Sequence, residues 1–142
     1  MVRAWILLAA LTAFSAGAQV RTSIRSPILG TWESETAGYA RFEFGRYGDY
    51  EEVQEQFDRK SGRIVRRIEA EGRFLLNVRE LTLRQKHRTI TSYDSDGNVR
   101  KVQEFGRAER VVYLLLPKKE HMQVTDTDGT KRQFVRTRRV DD

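Results

Sequence analysis

The chain has 142 residues, with 26 Lys and Arg against 20 Asp and Glu, and it contains no Cys. This length fits a single domain. The lack of Cys excludes a disulfide framework, a zinc–thiolate site and a thiol nucleophile. With only two Pro and ten Gly, the chain also does not have the composition of a low-complexity or collagen-like protein.

Residues 1–18 have the layout of a secretory signal peptide. A short basic start that contains Arg3 is followed by an apolar run, and residues 15–18 are small, with the Ala-x-Ala pattern of a cleavage site. The apolar run of about 15 residues is shorter than the roughly 20 residues needed to span a bilayer. We therefore expect cleavage before Gln19 rather than a membrane anchor.

The exported chain is basic, because removal of Arg3 leaves 25 Lys and Arg against 20 Asp and Glu. A eukaryotic secreted domain of this size often carries disulfides, so a Cys-free exported chain indicates a bacterial envelope protein, periplasmic or secreted. No second apolar run follows, and no transmembrane segment is expected. The basic segment 131–139 has the composition of a nucleic-acid contact, but an exported protein seldom meets nucleic acid, so we expect no such partner.

After a polar leader at residues 19–27, which we predict to be flexible, the chain alternates between apolar and polar residues and turns repeatedly at Gly. Such spacing predicts short strands joined by hairpins. The predicted strands are 28–35, 38–44, 50–57, 63–76, 80–86, 88–93, 99–105, 110–116, 121–125 and 131–138. Within the longest, Gly72 marks a place where a bulge costs little. No stretch has a convincing helical stripe, so the sequence predicts an all-β domain over residues 28–140. We expect a single up-and-down antiparallel meander that closes into a barrel.

Four short motifs resemble, in order, those of lipocalins and the bacterial lipocalin-like domains. They are Gly30-Thr31-Trp32, Phe42-Glu43-Phe44 with Tyr47-Gly48-Asp49-Tyr50, Gly72-Arg73-Phe74 with Leu81-Thr82-Leu83, and Asp128-Gly129 with Phe134-Val135-Arg136. The resemblance spans roughly residues 28–138. It implies a lipocalin-like β-barrel of eight or so strands with a cup for a small apolar ligand.

The same resemblance implies how the barrel closes. Gly30 and Trp32 belong to the first strand, and a basic residue of the last strand packs across the indole ring in lipocalins. Arg136 matches that position, with Arg138 as the second choice, and a guanidinium stacks well on an indole face. The chain departs from lipocalins in lacking the Thr-Asp-Tyr loop motif, disulfides and an evident C-terminal helix.

A charged residue interrupts the apolar alternation of one predicted strand, since Arg66 lies between Ile64 and Ile68. In a closed barrel this face would point inward, where a charge needs a partner or water. Arg66 is therefore the candidate anchor for the acidic head of an amphipathic ligand. The apolar tail would contact Phe42, Phe44, Phe74 and Ile90. The alternative is a shifted register or a bulge that turns Arg66 outward.

A second charged strand contains Glu51, Glu52 and Glu55. The cluster is a candidate for a general acid, but charge runs usually face water, so we interpret it as a solvated strand. The alternation predicts that Glu51 and Glu55 share the inward face with Val53 and Phe57. No Gly-x-Ser-x-Gly, His-Glu-x-x-His, P-loop or dinucleotide fingerprint occurs.

The two His residues do not predict a metal site, because His87 and His121 both have basic flanks. No cofactor is implied either. The sequence thus predicts a non-enzymatic exported protein that binds a small apolar or anionic amphipathic ligand in the barrel. The alternative is an envelope protein–protein interaction module with a side-chain-filled barrel. A packed lumen would favour the module, and an open cavity lined by Arg66 and aromatic residues would favour ligand binding.

Overall fold

A computed structural model describes residues 26–36, 38–118 and 120–140. The predicted signal peptide and leader residues 19–25 lie outside the described residues. Every strand pairs antiparallel with its neighbour in the chain, and the first pairs with the last to close the barrel. The strands are β1 (Gly30–Ser34), β2 (Tyr39–Phe44), β3 (Asp49–Phe57), β4 (Ile64–Asn77), β5 (Glu80–Tyr93), β6 (Val99–Lys118), β7 (His121–Thr125) and β8 (Lys131–Arg138). The predicted all-β up-and-down barrel is confirmed.

The barrel has eight strands where the sequence predicts ten, because two predicted breaks lie inside long strands. β5 continues through residue 87, and β6 continues through residues 106–109. In both places the register between neighbouring strands shifts. The polar and glycine residues that suggest chain reversals here mark β-bulges instead. None of the described segments forms a helix long and apolar enough to cross a membrane.

The bulge in β5 lies beside Gly72 of β4. Glu71 pairs with His87 whereas Gly72 pairs with Gln85, so Lys86 is the extra residue. A Cβ at Gly72 would lie only 2.1 Å from the main-chain oxygen of Arg84. The close approach of the two backbones therefore requires Gly at this position, and the irregularity anticipated at Gly72 is carried by the neighbouring strand.

The apolar core fills the part of the lumen around β1 and β2. Its buried side chains include Trp32, Phe42, Phe44, Phe74, Leu81, Leu83, Val112, Leu114, Met122, Val124 and Phe134. Ring centroids lie 5.4 Å apart for Phe42 and Phe44 and 5.0 Å apart for Phe44 and Phe74. These distances are typical of directly packed aromatic pairs, so side chains rather than an open cup occupy this region.

The barrel closes where β1 meets β8. Trp32 is opposite Arg136 in the register. Gly30 has a φ of 120° and a Cβ there would lie 2.3 Å from the main-chain oxygen of Arg138. Both the positive φ and the close approach favour Gly at this position.

The Trp32 side chain is fully buried at this closure. Its indole N–H donates to the main-chain oxygen of Ile28 over 2.7 Å, and the Arg136 guanidinium carbon lies 4.4 Å from the indole ring centroid. Arg138 instead pairs with Glu43 at 2.9 Å. Arg136 is thus the cation that covers the ring, with the geometry of a cation–π contact.

Candidate functional site

A polar cavity of about 160 Å³ lies inside the barrel beyond the aromatic core. It is lined by Tyr50, Glu52, Gln54, Ile68, Ala70, Leu83, Gln85, Arg88, Ala108 and Arg110. Sites for drug-sized ligands usually measure about 300–1,000 Å³. The cavity is therefore too small for an amphipathic ligand with an extended tail.

A buried ion pair dominates the cavity. A guanidinium nitrogen of Arg110 lies 2.6 Å from a carboxylate oxygen of Glu52, which is only 5% exposed. The side-chain amide of Gln54 donates to the same carboxylate, and Asp126 lies 3.6 Å from the other side of the guanidinium. Burial by itself lowers the pKa of Arg110, but the charge and hydrogen bond of Glu52 outweigh it, and the pKa is raised. The Arg110 guanidinium is thus held in its charged form.

The hydroxyl of Tyr50 is a further ionisable group in the lining of this cavity. Burial, together with the nearby charge of Glu52, raises the pKa of Tyr50 to about 12. At neutral pH the phenol therefore keeps its proton, whereas a general acid–base group works best with a pKa near the operating pH. These properties suit a structural polar network better than a catalytic one.

The predicted facing of β3 is wrong. Residues opposite the inward-facing Phe42 and Ala70 belong to the even-numbered set, which includes Glu52. Glu51 and Glu55 face outward, and Glu55 pairs with Arg67 at 3.0 Å.

The reason for the error is local. Val53 is buried although it lies on the outer face, because it sits between Arg41 and Glu69 on the neighbouring strands. Its apolar character therefore suggested an inward position. The interpretation of the whole cluster as solvated is also wrong for Glu52, which is buried against a partner from β6.

A larger groove of about 760 Å³ lies along the bulged region of β4, β5 and β6. It is lined by Gly48, Arg73, Phe74, Leu75, Arg84, Gln85, Lys86, Gly106, Ala108 and Glu109. Its volume falls within the usual range for a small-molecule site. Three of its side chains are cationic and one is anionic, so the groove carries a net positive charge.

The cations of this groove belong to two neighbouring strands, Arg73 to β4 and Arg84 and Lys86 to β5. Arg73 is opposite Arg84 in the register, and Arg84 is opposite Glu109, with which it pairs at 3.2 Å. Arg73 donates to the main-chain oxygen of Tyr47 over 2.7 Å. Lys86 is the extra residue of the bulge, and among the described residues it has no ion-pair partner. A bulge commonly redirects a side chain next to a functional site.

The groove also has an apolar wall. Leu75 is half exposed on the outer face of β4, and Phe74, which points into the core, borders the groove from within. An apolar surface next to unpaired positive charge is the combination that binds an amphipathic anion, since each part of the ligand then finds a matching environment.

The structure does not bring the predicted ligand-contacting residues together. Arg66 shares the face of Ile68, as the alternation indicates, but its side chain is exposed and lines neither cavity. Phe42 and Phe44 pack in the core, and Ile90 lies opposite Ile68 on β5. Of that set, Phe74 alone borders the groove.

Sequence reasoning missed Arg110 and Lys86 as site residues. Arg110 comes directly before an apolar run, and its partner Glu52 lies 58 residues earlier in the chain, so no local pattern connects them. Lys86 ends one predicted strand, and only the observed bulge gives it a special position.

The His residues also lie apart from both cavities. The ring of His87 stacks on Phe105 with centroids 4.7 Å apart, and His121 is exposed on β7. Within residues 26–36, 38–118 and 120–140, no three His, Asp or Glu side chains are grouped as metal ligands would be. A scan against protein-family models gave no match, and a search of curated proteins found no significant match.

Proposed function

We propose that this protein is an exported, non-enzymatic binding protein for a small anionic amphipathic ligand. The observation that carries the proposal is the groove of about 760 Å³, whose lining combines three cationic side chains with the half-exposed Leu75. The ligand site lies in this groove rather than in the lumen, because the polar cavity described inside the barrel measures about 160 Å³. Lys86 takes the anchoring role that the sequence assigned to Arg66.

The absence of catalysis is supported by the state of the interior polar groups. Glu52 is engaged by Arg110 and Gln54, and Tyr50 holds its proton. Export is supported by the signal-peptide layout of residues 1–18, and a lipocalin-like ancestry is supported by the motifs around Trp32 together with the barrel topology. Amino-terminal sequencing of the protein from its source cells should give Gln19 as the first residue. An intact start at Met1 would contradict export by cleavage.

Ligand binding is tested with a dansyl-labelled fatty acid and its methyl ester as fluorescent probes. We expect the acid to bind more tightly than the uncharged ester, since the ester lacks the group that Lys86 binds. Lys86→Met should weaken binding of the acid about two- to fivefold, the effect of one exposed charge pair, and should leave ester binding unchanged. Leu75→Asn should weaken both probes, because it removes part of the apolar wall.

Two control variants distinguish the groove from other sites. Lys131→Met removes an exposed Lys from β8, far in the register from the bulge, and should change neither probe. Arg66→Met should also leave both affinities unchanged. Loss of affinity in Arg66→Met with full affinity in Lys86→Met would move the anchor to Arg66, and no probe binding by the wild type would contradict the ligand-binding proposal.

A second candidate function, a protein–protein interaction module, is favoured by the aromatic filling of the lumen. A module of this kind needs no small ligand and presents its outer surface to another envelope protein. Native mass spectrometry of the protein isolated from its source cells separates the two functions. A bound small molecule favours the ligand-binding protein, and the bare polypeptide mass, together with no probe binding, favours the module.

A further inference from the structure

One edge of β6 has no neighbouring strand over most of its length. β5 pairs with β6 from Val99 to Tyr113, but β7 pairs with it only from Tyr113 onward. Within the described part of the chain, no strand covers the second edge of residues 99–112. The unpaired N–H and C=O groups of such an edge are a template for another strand.

Three apolar side chains at this edge are exposed. Val99, Val102 and Phe105 are 59%, 40% and 77% exposed. Edge strands that must stay unpaired are usually short or carry Pro, bulges or charged side chains, especially Lys. Here β6 runs extended through residues 99–105, and its charges are Arg100, Lys101 and Glu104. A partner strand would therefore have to cover the apolar side chains and place a charge of opposite sign against Arg100 and Glu104.

We propose that this edge pairs antiparallel with the same edge of a second copy of the chain, with the two-fold axis at Val102. The argument is the charge pattern of residues 99–105, Val-Arg-Lys-Val-Gln-Glu-Phe. In that register Arg100 lies opposite Glu104 of the second copy, and the contact occurs twice because the dimer is symmetric. Val99 then lies opposite Phe105 of the second copy, and Val102 lies opposite itself.

The facing of the residues supports this arrangement. Arg100 and Glu104 are both an even number of residues from Val102 and share one face of β6, where their β5 neighbours are Ser92 and Arg88. Glu104 uses its Oε2 atom to pair with Arg88. Its other carboxylate oxygen is available for the Arg100 of a second copy, so the dimer adds a charge contact without breaking the existing one.

Neighbouring registers are less favourable. A two-fold axis at Lys101 would place that residue opposite itself and bring two like charges together. An axis at Gln103 would place Glu104 opposite Val102 and Lys101 opposite Phe105, and both Arg–Glu contacts would be lost. Residues 99–105 span about 23 Å at the usual rise of about 3.3–3.4 Å per residue, so the dimer is small and reversible. It does not depend on the proposed ligand or on export.

The first experiment measures self-association of the purified protein by sedimentation velocity from micromolar to millimolar concentration. The wild type should show a monomer–dimer equilibrium. Arg100→Glu and Glu104→Arg should each weaken it about tenfold or more, because two attractive cross-strand pairs become repulsive. An equimolar mixture of these two variants should associate again, since the heterodimer contains two Glu–Arg contacts.

The matched controls are Arg63→Glu and Glu71→Arg, which make the same charge changes at exposed positions next to and within β4. β4 has a partner strand on each side, so these variants should dimerise like the wild type. Circular dichroism of every variant checks that the barrel is retained.

The second experiment tests the register with cysteine, which the chain otherwise lacks. Val102→Cys should form a disulfide-linked dimer under mild oxidation, because residues opposite each other have Cβ atoms about 4.5–5.5 Å apart. Lys101→Cys should not form this disulfide, because residue 101 of one copy lies opposite residue 103 of the other copy and only diagonal to residue 101. A wild type that remains monomeric at all concentrations, a mixture that fails to restore association, or cross-linking in Lys101→Cys but not Val102→Cys would overturn the proposal. Dimerisation that appears only after removal of residues 19–25 would also overturn the proposal, because it would mean that this segment occupies the edge of β6 in the full protein.

Discussion

Replacement of Arg110 by Met is a direct test of the ion pair inside the barrel. The variant leaves the carboxylate of Glu52, which is 5% exposed, with the amide of Gln54 as its main partner. Removing one member of a buried pair typically costs 3–5 kcal/mol, because the other charge stays buried. The Arg110 side chain is 30% exposed and reaches water, so we expect the lower end, about 3 kcal/mol. The free energy of unfolding from urea denaturation measures this loss.

The double variant Glu52→Leu with Arg110→Met separates the cost of an unpaired charge from that of lost packing. It buries no charge, and exchange of a buried pair for apolar residues of similar size is often close to neutral. We expect its stability to lie within about 1 kcal/mol of the wild type. Arg84→Met serves as control, because its pair with Glu109 is largely exposed and is worth about 1 kcal/mol or less.

Two results would refute this reasoning. One is an Arg110→Met variant as stable as the Arg84→Met control, which would mean that water already compensates Glu52. The other is a double variant as unstable as Arg110→Met alone, which would mean that the loss comes from packing of the Arg110 stem rather than from charge.

Three further predictions follow from single side chains. Trp32→Ala removes a fully buried ring and should lower the free energy of unfolding by about 3–5 kcal/mol; a thermal melt near that of the wild type would place Trp32 outside the core. The pKa of Tyr50 is raised from its usual 10.0 to about 12, so its contribution to stability is full below pH 10 and is lost as the pH rises through about 12. Tyr50→Phe should therefore reduce the alkaline loss of stability by about 2–3 kcal/mol, and equal alkaline curves for the two proteins would contradict this. Gly72→Ala should destabilise the barrel by about 1–3 kcal/mol in urea denaturation, because its Cβ would meet a backbone oxygen of Arg84 that cannot move alone; unchanged stability would show that the strands separate easily here.

The fold could be predicted because its signals are local. Alternation sets the strand faces, and turns carry their own chemistry: the carboxylate of Asp94 accepts from the backbone N–H groups of Asp96 and Asn98 in the β5–β6 hairpin. Each hairpin of an up-and-down barrel joins sequence neighbours. Closure by β1 and β8 is the one long-range step, and the motif around Trp32 indicated it.

The site could not be predicted because its contacts are not local. Glu52 is charged and inward-facing, which alternation alone assigns to the solvent side, and it is tolerated only because Arg110 arrives from β6. The sequence signal for such a pair is weak, since 20 acidic and 26 basic residues offer many combinations. A charged side chain can be buried only where a partner of opposite charge lies close to it. The register of the strands determines which residue that partner is.

The two proposed surfaces have a common structural origin in the bulged region. Opposite Gly72, β5 gains Lys86, and β6 gains residues between Phe105 and Ala108, where Gly106 adopts a φ of 143°. Bulges bend and twist the strands that contain them. The groove with Lys86 lies on one side of this irregularity. Residues 99–105 of β6 lie on the other side, in the part of the strand that does not pair with β7. A regular β5–β6 ladder would lack the extra Lys beside an apolar wall, and it would not bend residues 99–105 relative to the rest of β6. Gly72→Ala should accordingly weaken probe binding and self-association together, whereas Lys86→Met should affect the probe alone and Arg100→Glu self-association alone. Loss of both activities in either of these last two variants would show that the groove and the edge are one site.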